Sequence, residues 1–128
     1  KFPVKVIGYS NEIEKLMQSA NVMVSKLGGL TTFEALACRL PIIADATTPP
    51  MPQEAGTVSL IERQGAGILL RRSIDIVPTI QNLLLDNGDY SRMKAATIGM
   101  TMPNSTDQII REINAILPHP FTTAKAAA

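Results

Sequence analysis

Short apolar runs alternate with amphipathic stretches along the chain, and this alternation predicts its secondary structure. Four runs are typical of β-strands, residues 3–8, 21–25, 41–45 and 67–70. The third is apolar on both faces, as expected for a strand inside a parallel sheet. Apolar residues recur at helical spacing after each run. Helices are therefore predicted at residues 11–20, 54–65, 73–86, 89–99 and 104–117. Another is predicted between the glycines at 28 and 29 and Pro41, where the helical spacing covers residues 33–40.

Strands that alternate with helices in this way predict an α/β fold: a Rossmann-like parallel sheet with helices on both faces. Ligands of such sheets bind outside the carboxyl ends of the strands. Those ends correspond here to residues 8–10, 25–32 and 45–54. The three stretches should share one edge of the sheet, which is where a binding site is expected.

Several helix ends are marked by their residue types. Asn11 is expected to cap the first helix, with Glu14 three residues later as its partner. Gly65 is expected to end the third predicted helix. Pro78 is compatible with a helix only if that helix starts close to it. The last helix has Asn104 or Ser105 as its candidate cap.

Composition narrows the class of protein. The 128 residues suit one domain, and 45% of them are hydrophobic, enough to form a core. The net charge of +1 disfavours a strongly electrostatic nucleic-acid binder, so no nucleic-acid partner is expected. One cysteine, Cys38, excludes an internal disulfide framework and a cysteine-based zinc site. No apolar run approaches the roughly 20 residues of a membrane span.

We expect the globular domain to cover residues 1–118 and residues 119–128 to form a flexible tail, because the tail has no core-forming pattern. The abrupt, strand-like start suggests a piece cut from a longer protein. His119 lies in the tail between two prolines and is not favoured as a catalytic base. Cys38 lies among apolar helix residues and is interpreted as a small buried side chain rather than a nucleophile.

The clearest candidate for chemistry is a glycine turn between the second strand and the following helix. Gly28 and Gly29 allow close approach of a ligand to the backbone, and a helix start offers unpaired N–H groups and the positive end of its dipole. The hydroxyls of Thr31 and Thr32 could add donors, so a phosphate or pyrophosphate would fit. The turn lacks both the dinucleotide-binding and the P-loop glycine patterns, and a simple packing turn remains an alternative.

Glu34 lies one turn into the same helix. A carboxylate would oppose a phosphate at close range, but it could accept hydrogen bonds from the hydroxyls of a ribose. The alternative is a solvated acid that complements the helix dipole.

Together these residues resemble a known family. The segment SANVMVSKLGGLTTFEALACRLPIIA, followed by PQEAG and ERQGAGILL, is similar to the C-terminal domain of GT-B fold glycosyltransferases. The most similar group contains the MurG N-acetylglucosaminyltransferase and the enzymes that make mono- and diglycosyl diacylglycerols. The likeness extends from about Val4 to Ile116.

The resemblance implies one half of a two-domain GT-B fold, the half that binds a UDP-sugar donor. It implies roles for nine residues. The glycine turn would face the diphosphate, and Glu34 would bind the ribose. A Gln-Glu pair would contact the donor sugar, and residues at the end of the first predicted strand would contact the uracil. These donor-binding residues are Tyr9, Ser10, Gly28, Gly29, Thr31, Thr32, Glu34, Gln53 and Glu54. No catalytic residue is assigned within the chain, and no cofactor or metal is expected, since there is no Asp-x-Asp motif.

Three positions depart from the family pattern. Arg39 stands where a glycine is usual, Leu27 where Pro or Ala is common, and Thr57 where lipid-glycosylating relatives often have Asn. Thr57 lies near the expected position of the donor sugar, so the identity of that sugar stays open.

The function predicted from this resemblance is UDP-sugar binding within an inverting glycosyltransferase that transfers a hexose to a lipid-type acceptor, such as diacylglycerol or a lipid-linked sugar. An N-terminal acceptor-binding domain would supply the catalytic base, so the isolated chain is expected to be inactive. The enzyme would be cytoplasmic or peripheral at the cytoplasmic membrane face, with any membrane contact made by its other half. Two alternatives remain: a stand-alone donor-binding subunit that needs a partner chain, and part of a sugar-nucleotide epimerase.

Overall fold

A parallel β-sheet organises the chain. The computed structural model describes residues 3–49, 51–101 and 104–118, and within these ranges the sheet has three strands. The elements follow the order α1 (Ile13–Ser19), β1 (Met23–Ser25), α2 (Gly29–Ala37), β2 (Ile42–Asp45), α3 (Ala55–Arg63), β3 (Gly67–Leu70), a 3₁₀ turn (Ser73–Asp75), α4 (Ile76–Leu85), α5 (Asn87–Met100) and α6 (Ser105–Ile116).

The central strand, β2, pairs in parallel with β1 on one side and with β3 on the other. Ile42 lies in register with Met23 of β1 and with Gly67 of β3. Each strand is followed by a helix, as parallel pairing requires, because the chain must cross back over the sheet before the next strand. The predicted α/β class with a Rossmann-like parallel sheet is confirmed.

Alternate side chains of β2 enter two separate hydrophobic clusters. Ile42 and Ala44 pack in one cluster with Leu36 of α2 and Ile61 of α3. Ile43 packs in the other with two residues of α4 and α5, Leu83 and Met93. Successive side chains of a strand point to opposite faces of a sheet, so these clusters show that helices cover both faces.

The predicted first strand, residues 3–8, is wrong. The segment forms neither strand nor helix. Val4 and Val6 are 84% and 92% exposed, so the alternation that suggested a strand has no surface to pack against. A strand needs a hydrogen-bonded neighbour as well as a suitable pattern, and the segment has no strand partner in the described sheet.

Two helices end in the same left-handed motif. After α3, Gly65 has φ of +69°, and the amides of Gly65 and Ala66 donate to carbonyls of the last turn, which confirms the predicted glycine cap. After α2, the same position is occupied by Arg39 with φ of +56°. Its amide donates to Leu36 and the Leu40 amide to Ala35, both at 2.9 Å.

The other predicted helix ends have mixed outcomes. The Asn11 cap is wrong: α1 begins at Ile13, and the hydroxyl of Ser10 accepts from the Glu12 amide instead. Pro78 is the third residue of α4, where its missing N–H costs no helical hydrogen bond, as predicted. Asn104 occupies the cap position of α6 without a side-chain cap bond.

No helix in the described part of the chain is long and apolar enough to cross a membrane. The predicted flexible tail, residues 119–128, and His119 lie outside the described residues.

Candidate functional site

The carboxyl ends of β1 and β2 open onto a glycine turn and a proline-rich loop. β1 ends at Ser25, and the buried side chain of Leu27 anchors the following turn in the core. Gly28 then precedes the first residue of α2. The burial of Leu27 fixes where the helix starts, and so where its amino terminus is presented.

The amino terminus of α2 presents unpaired amides. The Gly28 amide donates to the Lys26 carbonyl at 2.9 Å, and the first helical bond runs from the Thr32 amide to the Gly28 carbonyl at 3.1 Å. The intervening amides, those of Gly29, Leu30 and Thr31, have no acceptor among the residues that the structure describes. These groups and the helix dipole favour an anion at this end of α2.

The two threonines of the turn differ in availability. Thr32 is fully buried, and its hydroxyl donates to the Gly28 carbonyl at 2.8 Å. Thr31 is half-buried, and its hydroxyl has no hydrogen-bond partner in the described ranges. The structure therefore offers the Thr31 hydroxyl to a ligand and commits that of Thr32 to the helix.

Glu34 is exposed on α2. It follows Leu30 by four residues and Thr31 by three, a spacing that makes its side chain a neighbour of each of them on the helix surface. Among the described residues its carboxylate has no ion-pair or hydrogen-bond partner. An uncommitted carboxylate thus lies about one turn from the unpaired amides.

Glu54 is brought to the glycine turn by the start of α3. One of its oxygens, Oε1, lies 4.0 Å from the position that a Cβ on Gly28 would occupy. The other, Oε2, accepts from the Met51 amide at 3.3 Å. Gln53, beside it, is exposed. The structure therefore joins two motifs that are distant in sequence, the glycine turn and PQEAG.

A cavity of about 210 Å³ lies beside these motifs, next to Lys26, Leu27 and Glu54. Leu27, Ala44 and Val58 give part of it an apolar lining, and residues 46, 48, 49 and 51 cover one side. Its charged lining residues are Lys26, Asp45 and Glu54.

Lys26 and Asp45 are absent from the nine residues predicted from sequence. Lys26 directly follows β1, and Asp45 is the last residue of β2. Their position at the carboxyl ends of strands was the sequence signal that could have identified them. Asp45 Oδ1 accepts from the Thr47 hydroxyl at 2.7 Å and from the Thr47 amide at 3.0 Å. The hydroxyl bond, then the amide bond, and then the charge of Lys26 lower the pKa of the Asp45 carboxyl.

Tyr9 and Ser10 are not brought to this cavity. Tyr9 is 95% exposed, and the Ser10 hydroxyl is used at the start of α1, where it accepts from the Glu12 amide at 3.0 Å. Their predicted contact with uracil stays a prediction.

Cys38 and Arg72 both have surroundings that indicate a structural role. Cys38 packs beside the larger core cluster, and burial, together with the charges of Glu14 and Glu34, raises the pKa of its thiol. A raised pKa disfavours the reactive thiolate. Arg72 is held by Asp75 through two hydrogen bonds of 2.8 and 2.7 Å.

A larger groove of about 550 Å³ lies elsewhere, between α2, α3 and the end of α5. Its lining is mainly apolar and contains none of the nine predicted site residues. Of the nine, only Glu54 lines the smaller cavity, where it lies with the charged groups of Lys26 and Asp45. Because it combines a predicted residue with these charges, the smaller cavity is the candidate site.

Comparison with known proteins identifies relatives across most of the chain. No protein-family profile matches the sequence. Over 110 residues, or 86% of the chain, it is 32% identical to the processive diacylglycerol beta-glucosyltransferase of Bacillus subtilis (strain 168). Identity to the enzymes of the same name from Bacillus pumilus and Bacillus licheniformis is 31% and 30%. The chain spans 28% of the length of these relatives.

The fold and these similarities define the class: the chain is homologous to glycosyltransferases of the GT-B fold. Within that class its matched relatives are diacylglycerol beta-glucosyltransferases, and the aligned segment corresponds to their C-terminal part. The resemblance predicted from the sequence motifs is confirmed.

Proposed function

We propose that this chain is the UDP-sugar-binding part of an inverting glycosyltransferase that transfers a hexose to a lipid acceptor. The main support for this proposal is the amino terminus of α2. There, unpaired amides, the Thr31 hydroxyl and the uncommitted carboxylate of Glu34 lie on adjacent turns. The names of the relatives support diacylglycerol as the acceptor and glucose as the transferred hexose.

Different site residues bind different parts of the donor. The amides of residues 29–31 and the Thr31 hydroxyl bind the diphosphate, while Glu34 accepts hydrogen bonds from the ribose hydroxyls. Gln53 and Glu54 contact the sugar across the turn, and Tyr9 with Ser10 contacts the base. Gly28 places the start of the turn beside Glu54, whose Oε1 lies 4.0 Å from the position that a Cβ on Gly28 would occupy.

The reaction is a direct displacement at the anomeric carbon. A hydroxyl of the acceptor forms the new bond as the bond to the diphosphate oxygen breaks, and negative charge builds up on the departing UDP. Amides already aimed at that charge stabilise the transition state without reorganisation. The base that takes the acceptor proton belongs to the acceptor-binding domain, so this chain alone supplies leaving-group stabilisation.

The comparisons do not favour the alternatives, a stand-alone donor-binding subunit and an epimerase. The proposal also predicts that the 128-residue chain transfers no sugar by itself. Incubation with UDP-glucose and micellar diacylglycerol should give no glycolipid, and turnover by this chain alone would refute the assignment of the base to another domain.

Calorimetric titration with UDP and with uridine tests the donor site. Glu34→Ala should weaken the binding of both ligands by about tenfold or more, because hydrogen bonds to a charged group are lost. Thr31→Val should weaken UDP binding and leave uridine unchanged, since the hydroxyl serves only the diphosphate.

The matched control is Glu112→Ala, which removes an exposed carboxylate from α6. It should bind UDP as the unmodified chain does. Equal UDP affinity in Glu34→Ala and Glu112→Ala would contradict the ribose role of Glu34, and no binding of UDP to the unmodified chain would contradict the proposed function.

A further inference from the structure

The cavity between the glycine turn and α3 has a charge that does not suit a diphosphate. Two carboxylates, Asp45 and Glu54, line it together with one ammonium group, that of Lys26. The formal charge of this lining is −1, which would repel a phosphate at close range. Carboxylate oxygens are, however, strong acceptors for the hydroxyls of a neutral group.

Asp45 is held in place and keeps one oxygen available. Both hydrogen bonds from Thr47 go to Oδ1. Within residues 3–49, 51–101 and 104–118, Oδ2 accepts no hydrogen bond. Glu54 is arranged in the same way, since the Met51 amide donates to Oε2 and leaves Oε1 toward Gly28. Two oriented acceptors therefore share one cavity.

The rest of the lining suits a sugar ring. Leu27 and Ala44 belong to the hydrophobic core cluster, and Val58 packs against it, so one side of the cavity is apolar. Ligand sites commonly combine such an apolar wall with a few placed polar groups that fix orientation. A ring with hydroxyls on its rim and C–H groups on its face matches both parts.

We propose that Asp45 is a specificity-determining residue for the donor, whose carboxylate accepts a hydrogen bond from a hydroxyl of the transferred sugar. Thr47 is then a positioning residue that aims this carboxylate. The inference rests on the proposed function, because it takes the diphosphate to lie at the amino terminus of α2. It adds to the Gln53–Glu54 pair a third sugar-contacting residue from the end of β2.

The test separates the sugar from the nucleotide. Titration with UDP and with UDP-glucose gives two dissociation constants. The Kd for UDP divided by the Kd for UDP-glucose is a ratio that measures what the sugar adds to affinity. Asp45→Ala should lower this ratio by about tenfold and leave the affinity for UDP unchanged, as expected for a lost hydrogen bond to a charged group. Asp45→Asn, which keeps an acceptor oxygen, should lower the ratio less.

Two further variants complete the design. Thr47→Val should lower the ratio partly, since the carboxylate remains but loses its hydroxyl donor. Asp107→Ala, on the exposed surface of α6, is the matched control and should leave the ratio unchanged.

The outcomes distinguish this inference from the proposed function. A lower ratio in Asp45→Ala with unchanged UDP affinity supports the role of Asp45. An unchanged ratio, or equal losses for UDP and UDP-glucose, overturns it and leaves the donor site intact. Failure of the unmodified chain to bind UDP overturns the proposed function and this inference with it.

Discussion

The hydroxyl of Thr101, at the end of α5, donates to the carbonyl of Leu36 in α2 at 3.1 Å, although 65 residues separate them. The same hydroxyl lies 3.0 Å from the Thr97 carbonyl of its own helix. The contact ties α5 to the helix that presents the glycine turn, so it links a distant helix to the candidate site.

Replacing Thr101 by Val should destabilise the protein by about 1 kcal/mol, the usual net value of one hydrogen bond. The cost is limited because the Leu36 carbonyl also accepts from the Arg39 amide and is not left unsatisfied. Urea unfolding followed by circular dichroism measures the change. Thr101→Ser keeps the hydroxyl, so its urea midpoint should lie closer to that of the unmodified protein. Equal urea midpoints for Thr101→Val and the unmodified protein would refute the contribution of the bond.

Arg39 holds a backbone conformation that glycine adopts more readily. A side chain with φ of +56° carries a steric cost of about 1 kcal/mol, which the glycine at the matching position after α3 avoids. Arg39→Gly should therefore stabilise the protein by about 0.5 kcal/mol after the entropy cost of glycine is included. Gly65→Arg is the reverse substitution in the same motif and should destabilise it. If both variants shift the urea midpoint in the same direction, the backbone argument fails.

Gly67, the first residue of β3, has no room for a side chain. A Cβ would lie 2.5 Å from a methyl carbon of Ile61 and 2.7 Å from the Ile42 carbonyl oxygen, which belongs to the central strand. Gly67→Ala should cost about 1–3 kcal/mol, the usual range for overpacking. Gly99→Ala is the control, since nothing lies within 4 Å of a Cβ there and α5 should gain helix propensity. Thermal unfolding should separate the two variants, and a Gly67→Ala protein as stable as the unmodified one would contradict the contact.

Local sequence patterns predicted those elements whose structure depends mainly on their own residues. Ile42 and Ile43 form an apolar run that is typical of a strand buried on both faces, and Gly65 marked a helix end through its freedom to adopt positive φ. Residues 3–8 show the limit of such patterns. Their alternation is strand-like, but pairing depends on a neighbouring strand, and no local sequence feature specifies that neighbour.

The candidate site was predictable to a similar extent. Gly28, Glu34 and Glu54 stand in recognisable motifs, and parallel-sheet geometry places strand ends on one edge. What the motifs could not give is which polar groups are already used. Thr31 and Thr32 are adjacent and identical in type, yet the helix consumes one hydroxyl and leaves the other, a difference set by the direction in which each side chain points.

The Asp45–Thr47 pair makes a prediction about pH. Because the Thr47 hydroxyl and amide bonds favour the carboxylate, the pKa of Asp45 in the folded chain lies below its ordinary value, about 3.9 in an unfolded chain. A lowered pKa means that these bonds contribute their full stability above that ordinary value. The contribution disappears as the pH falls through the lower pKa of the folded chain.

Carboxyl-carbon NMR titration should therefore give Asp45 a midpoint below about 3.9, and Thr47→Val should move it upward, since the hydroxyl bond is the largest cause of the shift. Asp75 is an internal control, because its pKa is lowered by its hydrogen bond to Arg72 and should not respond to Thr47. The stability difference between Thr47→Val and the unmodified chain should likewise shrink as the pH falls below the Asp45 midpoint. An Asp45 titration that is the same in both proteins would show that the Thr47 hydroxyl does not hold the carboxylate, and the positioning role proposed for Thr47 would fall with it.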